Sequence, residues 1–182
     1  MTSSTPSATV PASTATMAPS DPPPVDHPFH HAHKLAYDRP PNRQRYWRIN
    51  MYFNKKPGIS DAYFTNHWHH VHADLVTGMQ SFKNLKLLRY NQFFQAAEAR
   101  TAAEAMGYGP VLDWDACTEF WVNSIEDFVA FTKSQEYIDA TPDIHNFVNV
   151  DTGIRIMAGY DNLVFGEAVK GFGEDGVVNA DL

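Results

Sequence analysis

Residues 60–75 read Ser-Asp-Ala-Tyr-Phe-Thr-Asn-His-Trp-His-His-Val-His-Ala-Asp-Leu, and the reading of this stretch decides the fold. It follows Lys55-Lys56-Pro57-Gly58, a turn that cannot continue a strand. Ser60 or Asp61 supplies a helix N-cap, and the Pro-Gly pair upstream sharpens the start. Phe64, Trp68, Val71 and Leu75 then recur at spacings of four, three and four, which predicts one apolar helical face. His67, His69, His70 and His72 lie among them. His72 falls four residues after Trp68 and eight after Phe64, so it turns towards the buried side near the helix end. An imidazole half-buried there is a candidate proton carrier, because its ordinary pKa lies near neutrality. The alternative is a core histidine bonded to a backbone carbonyl.

On either side of this helix the chain alternates like a sheet. Tyr46 to Phe53 is the first strand by its aromatic and β-branched content, with Trp47, Ile49, Met51 and Phe53 on one face. Tyr46, Arg48, Asn50 and Tyr52 share the other. After a break at Thr77-Gly78, Leu85 to Phe94 reads as the second strand, and Gln95 to Met106 as a short Ala- and Glu-rich helix. Ala116 to Val122 is the third strand; Cys117, Glu119 and Trp121 alternate there with Thr118, Phe120 and Val122. Ser124 caps a second long helix, with Ile125, Phe128, Val129 and Thr132 as its inner stripe. Residues 134–150 continue as helical turns interrupted at Thr141-Pro142, and Thr152 to Phe165 supplies a fourth strand. The order is β-α-β-β-α-β, an α+β ferredoxin-like split unit. Such a sheet carries its helices on one face, and the other face, rich in aromatics here, needs a cover.

The Pro57-Gly58 turn, followed by Phe64-x-x-x-Trp68-x-x-x-His72-Ala73-x-Leu75, resembles the EthD family of the dimeric α/β barrel superfamily. The resemblance covers about residues 44–166 and implies a homodimer. It also implies an enzyme tailoring aromatic polyketides, since fungal members of the family include decarboxylases and dehydratases. Decarboxylation is the first expectation and dehydration the second. Two further classes stay open: a cofactor-free monooxygenase acting on an anthrone, and a non-catalytic barrel that binds a small molecule.

Composition narrows the field. The chain has 182 residues, enough for one domain with appendages, and 43% are hydrophobic. The domain is expected over 44–166, with a tail and His-rich arm over 1–43 and a Gly- and Asp-rich tail over 167–182. A net charge of −7 argues against a nucleic-acid partner, which needs a basic stripe. The single cysteine, Cys117, excludes an internal disulfide and suits a reducing compartment; it reads as a buried, inert thiol. No run approaches the ~18 apolar residues of a membrane span, so a soluble, cytoplasmic protein is expected. Residues 1–26 are mostly Ser, Thr, Pro, Ala and Val, and are expected to be disordered. No Lys or Arg precedes Lys34, so this tail lacks the basic pattern of a signal or transit peptide.

Histidines invite a metal reading twice. His27 to His33 has no carboxylate or thiol framework around it, and reads better as an arm ending at Pro40-Pro41. The pairs His67/His70 and His69/His72 project from different helical faces, with no His-Glu-x-x-His. No metal is expected. Neither nucleotide fingerprint nor nucleophile elbow is present, so no organic cofactor is expected either. That leaves proton transfer on an activated substrate. His72 is the first candidate, with Glu119 as a possible partner or else a solvated strand carboxylate. Tyr63, Trp68, Tyr90, Asn91 and Asp115 are the candidates for holding an aromatic substrate, though strand packing explains the tyrosines equally well.

Overall fold

The computed structural model describes residues 22–181. Most of the tail expected to be disordered, residues 1–21, lies outside the described residues. Residues 22–26 are exposed and carry no secondary structure. The chain forms two compact units, Gln44–Asp161 and a smaller one built from the segments before and after it. In the smaller unit, Ala32–Leu35 forms a single helical turn, and Phe165 bridges to Val177, which is buried. A Cβ on Gly176 would come within 2.6 Å of the Val164 carbonyl oxygen, so this close pass needs a glycine.

The larger unit carries the site. Its sheet contains β1 (Trp47–Phe53), β2 (Arg89–Phe94), β3 (Ala116–Val122) and β4 (Arg155–Gly159). Their order is β2-β3-β1-β4 with every neighbour antiparallel, which is the ferredoxin-like arrangement. Register sets the faces. Ile49, Phe120 and Tyr90 lie side by side on the face towards the helices, as do Met51, Thr118 and Gln92. Asn50, Glu119 and Asn91 form a row on the opposite face, next to the row of Tyr52, Cys117 and Phe93.

Two packed clusters fill the space between sheet and helices. One gathers Ile49, Phe120 and Val122 with Val76, Met79, Leu85, Phe128 and Phe131. The other gathers Phe53 and Ala116 with Phe64, Trp68, Phe147 and Val148. Three serine caps start the helices over them: Ser60 accepts from Tyr63 N–H, Ser124 from Asp127 N–H and Ser134 from Tyr137 N–H.

Several boundaries differ from the sequence reading. The second strand begins only at Arg89, because Gln80–Leu85 is a helix that Lys86 ends in the left-handed region (φ 49°). Leu85 thus reaches the core from a helix end. The fourth strand is shorter than Thr152 to Phe165. In Ile125–Thr132 the core residues are Phe128 and Phe131, whereas Val129 is exposed; the stripe runs three residues on, not four.

The largest departure lies in the decisive stretch itself. Asp61–Asn66 is α-helical, His67–His72 is a π-helix, and Ala73–Gly78 is α-helical again. The π turn holds an extra residue, its bonds running from i to i+5, as from Ala73 N–H to the Trp68 carbonyl. The inward positions are therefore Phe64, Trp68, His72 and Val76, four apart throughout. Val71 and Leu75, expected inside, are 45% and 44% exposed. Tertiary contacts hold the wide turn. Trp68, 1% exposed, packs edge-on to Phe53 and Phe94 at 5.0 and 4.7 Å between centroids. Its carbonyl also accepts Gln92 Nε2 at 2.9 Å.

Candidate functional site

Thr141–Asn146 is a 3-10 helix with Pro142 in its first turn, and it presents Asp143 to the π turn. Asp143 Oδ2 lies 3.0 Å from His72 Nδ1, and Oδ1 lies 2.9 Å from His67 Nε2. Asn146 Nδ2 donates to the same Oδ1 at 3.0 Å. Burial works against the carboxylate, yet the hydrogen bonds from His67, Asn146 and His72 outweigh it and hold Asp143 below the usual carboxylate value. Burial also lowers His72, and it prevails over the opposing pull of Asp143. At neutral pH the pair is thus a carboxylate facing a neutral imidazole. An ionised carboxylate only accepts, so the His72 proton sits on Nδ1 and Nε2 keeps its lone pair. Nε2 has no hydrogen-bond partner among the described residues.

His72 borders a cavity of about 140 Å³ between the sheet and the helices. Phe53, Trp68, Phe120, Phe147 and aliphatic side chains supply most of its wall, and none of the lining residues is Lys or Arg. Tyr90, Thr118, Tyr137 and Thr141 bring hydroxyls. Thr141 donates its hydroxyl to the Tyr137 carbonyl at 2.8 Å, and Tyr90 accepts from Gln92 Nε2 at 3.3 Å. The Tyr137 hydroxyl makes no hydrogen bond among the described residues, and it interacts electrostatically with Tyr90. Burial pushes both tyrosines up, so each remains a neutral donor. A base, hydroxyl donors and flat apolar walls suit proton transfer on an uncharged ring-bearing molecule.

The residues singled out from sequence divide sharply. Trp68, Tyr90 and His72 line the cavity together. Glu119 and Asn91 do not join them. They stand on the opposite face of the sheet, where Asn91 Nδ2 donates to Glu119 Oε2 at 2.8 Å. Strand alternation separates them from Thr118, Phe120 and Tyr90, which do face the cavity. Asp115 is a structural latch: its carboxylate accepts Lys55 N–H at 2.8 Å and its own N–H bonds Asn54 Oδ1 at 3.0 Å. Tyr63 is exposed and stacks on His67, bordering a surface depression with Asn66, His70 and Val71. Cys117 is buried, and burial with the nearby Glu119 charge pushes its thiol up to about 11. Among the described residues no three metal-ligating side chains gather, and no helix is long and apolar enough to cross a membrane.

Asp143, His67 as its second partner, and Tyr137 are missing from the sequence reading. Pro142-Asp143 at the start of a short turn marks an acidic helix start, but nothing local says that it faces a histidine 71 residues away.

Fold and site define a ferredoxin-like α+β protein with an aspartate-held histidine at an apolar cavity. The EthD domain family model matches residues 56–151, and the chain belongs to that family. No curated protein sequence matches it. Among solved structures it is similar to an EthD-family protein from Bacillus halodurans, at 14% identity over 64% of this chain and 98% of that one, TM-score 0.42. It is also similar to the hydroxynitrile lyase of Passiflora edulis, at 15% identity over 70% of this chain and 100% of that one, TM-score 0.46. A dimeric protein of unknown function and ferredoxin-like fold from Bacteroides fragilis shares 6% identity over 65% of this chain and 99% of that one, TM-score 0.45.

Proposed function

We propose that this protein is a cofactor-independent lyase that removes water from a hydroxylated aromatic ketone of the polyketide type implied by the family resemblance. His72 is its acid–base group. The observation that carries the reading is an imidazole, oriented by Asp143, on the wall of a cavity lined by hydroxyls and by no Lys or Arg. His72 Nε2 takes the proton next to the ketone, and the electron pair moves onto the carbonyl oxygen, stabilised by a tyrosine hydroxyl. The enolate then expels the β-hydroxyl. The imidazolium returns the proton to that oxygen, and water leaves.

Dehydration moves ahead of decarboxylation for one reason. A carboxylate substrate brought into this cavity would have no cation among its lining residues, and an unpaired buried charge is costly. Mass spectrometry of the purified chain with a panel of aromatic hydroxy-ketones and keto acids, beside His72→Ala, tests the reading. Loss of about 18 mass units, reduced ~10²-fold or more in the variant, supports it. Loss of about 44 returns decarboxylation to first place, and gain of oxygen replaces the lyase with an oxygenase. Tight binding without turnover makes the chain a binding protein.

The same reading sets the opposite face of the sheet against a second copy of the chain, since Phe93 and Met157 are exposed on it. Light scattering on the purified chain tests this, and a monomer at micromolar concentration removes it.

A further inference from the structure

We propose that His67 is a positioning residue of this site, holding Asp143 so that His72 is fixed as the Nδ1–H tautomer with Nε2 bare. The inference rests on the acid–base reading of His72 and extends it to a residue that does not touch the cavity. Each oxygen of the Asp143 carboxylate takes one imidazole, Oδ1 that of His67 and Oδ2 that of His72. With Oδ1 also receiving the Asn146 amide, the carboxylate is bound on one side by two donors and cannot turn without losing both. Oδ2 is thereby committed to His72. His67 is itself held by rings: Tyr63 stacks on it at 5.7 Å and Phe147 lies at 5.5 Å. Phe147 also touches the His72 ring at 5.0 Å, so one buried phenyl spaces the two imidazoles.

The backbone is shaped to the same end. Five residues along an α-helix turn through about 500°, leaving two side chains ~140° apart, too divergent to share a carboxylate. The π turn from His67 to His72 brings positions i and i+5 onto one side. The segment of unusual winding therefore coincides with the two histidines that meet at Asp143. Among the described residues, Tyr63 and His70 border His67, Asn146 bonds Asp143, and Tyr90 and Tyr137 line the same cavity as His72.

Nitrogen NMR of the full chain labelled with 15N-histidine reads the tautomers directly, without substrate. As neutral rings, His67 is expected as the Nε2–H form and His72 as the Nδ1–H form. His67→Phe keeps an aromatic ring in the stack but removes the donor. In it, the His72 signals are expected to become a mixture of tautomers, and kcat to fall about tenfold or more with KM little changed. His67→Gln, which returns an N–H donor, is expected to restore the single tautomer. Wild-type His72 signals in His67→Phe overturn the proposal. So do reversed tautomers in the unmodified chain, a measurement that needs no variant to fold. A chain with the expected tautomers and no turnover of any substrate loses the lyase reading but keeps this role for His67.

Discussion

Asp143 Oδ2 and His72 Nδ1 are 3.0 Å apart, so one nitrogen of the imidazole is committed to the protein and the other makes no hydrogen bond among the described residues. Replacing Asp143 by Asn preserves the shape but not the charge, and its amide would present a donor to one of the two histidines, forcing that ring into the wrong tautomer. kcat is expected to fall by roughly 10²–10⁴, as when a histidine loses its orienting carboxylate. A steady-state comparison with the parent, together with a thermal melt showing that the variant is folded, checks this.

The acid side of the pH profile follows from His72. Burial holds its pKa below the ordinary 6.5, and in the proposed dehydration the neutral form is the base. kcat/KM is therefore expected to be level near neutrality and to fall with acidification through a midpoint below 6.5. Activity that rises on acidification instead would show the imidazolium to be the working form.

Stability has the same sign. The unfolded chain protonates His72 at a higher pH than the folded chain, so its contribution is full above 6.5 and is lost as pH falls towards the folded value. Asp143 adds a second loss, its contribution being full above 3.8 and disappearing as pH falls through its depressed folded value. Thermal melts from about pH 8 to about pH 3 should show a Tm that declines only on the acid side.

Glu119 lies across the sheet from His72, on the face proposed to meet a second copy, where it accepts from Asn91. Glu119→Gln, which keeps an acceptor for Asn91, is expected to leave turnover within about twofold. A loss as large as that of His72→Ala would mean that a group on the far face reaches the reaction. Paired kinetic and denaturation measurements on the variant distinguish the two.

Trp68 combines burial with the cavity wall. Truncation to Ala removes its contacts with Phe53, Phe94 and Phe147 and is expected to cost about 3–5 kcal/mol, a large part of a typical domain's stability. Urea unfolding of Trp68→Ala against the parent measures this, and a loss below ~1 kcal/mol would place the ring outside the core.

What the sequence makes legible here is local. Ala116–Val122 can be read as a strand because its apolar and aromatic run lies between turn-rich borders. His72 can be placed inward because it lies four residues from Trp68, a spacing that holds for either winding. Yet alternation alone does not say which face of β3 meets the helices, since Cys117 and Trp121 are as apolar as Phe120 and Val122. That is why Glu119 is grouped with His72 from sequence and separated from it in space. Asp143 is invisible for another reason: its meaning comes from a contact 71 residues distant. Val71 and Leu75 mislead because the π turn is held by tertiary bonds, among them Gln92 to the Trp68 carbonyl, that no helical period encodes.

Because the winding between Phe64 and Val76 accommodates one residue more than an α-helix with the same inward face, chain length in this interval is itself informative. A relative shorter by one residue there can run straight through in α-helix, keeping its aromatic anchor and its inward histidine while changing the angle to the histidine before it. Counting residues from the buried tryptophan to the next buried aliphatic would therefore sort relatives by whether two imidazoles can meet on one carboxylate. A gap in an alignment there, more than a substitution, would mark the relatives in which this pairing is lost.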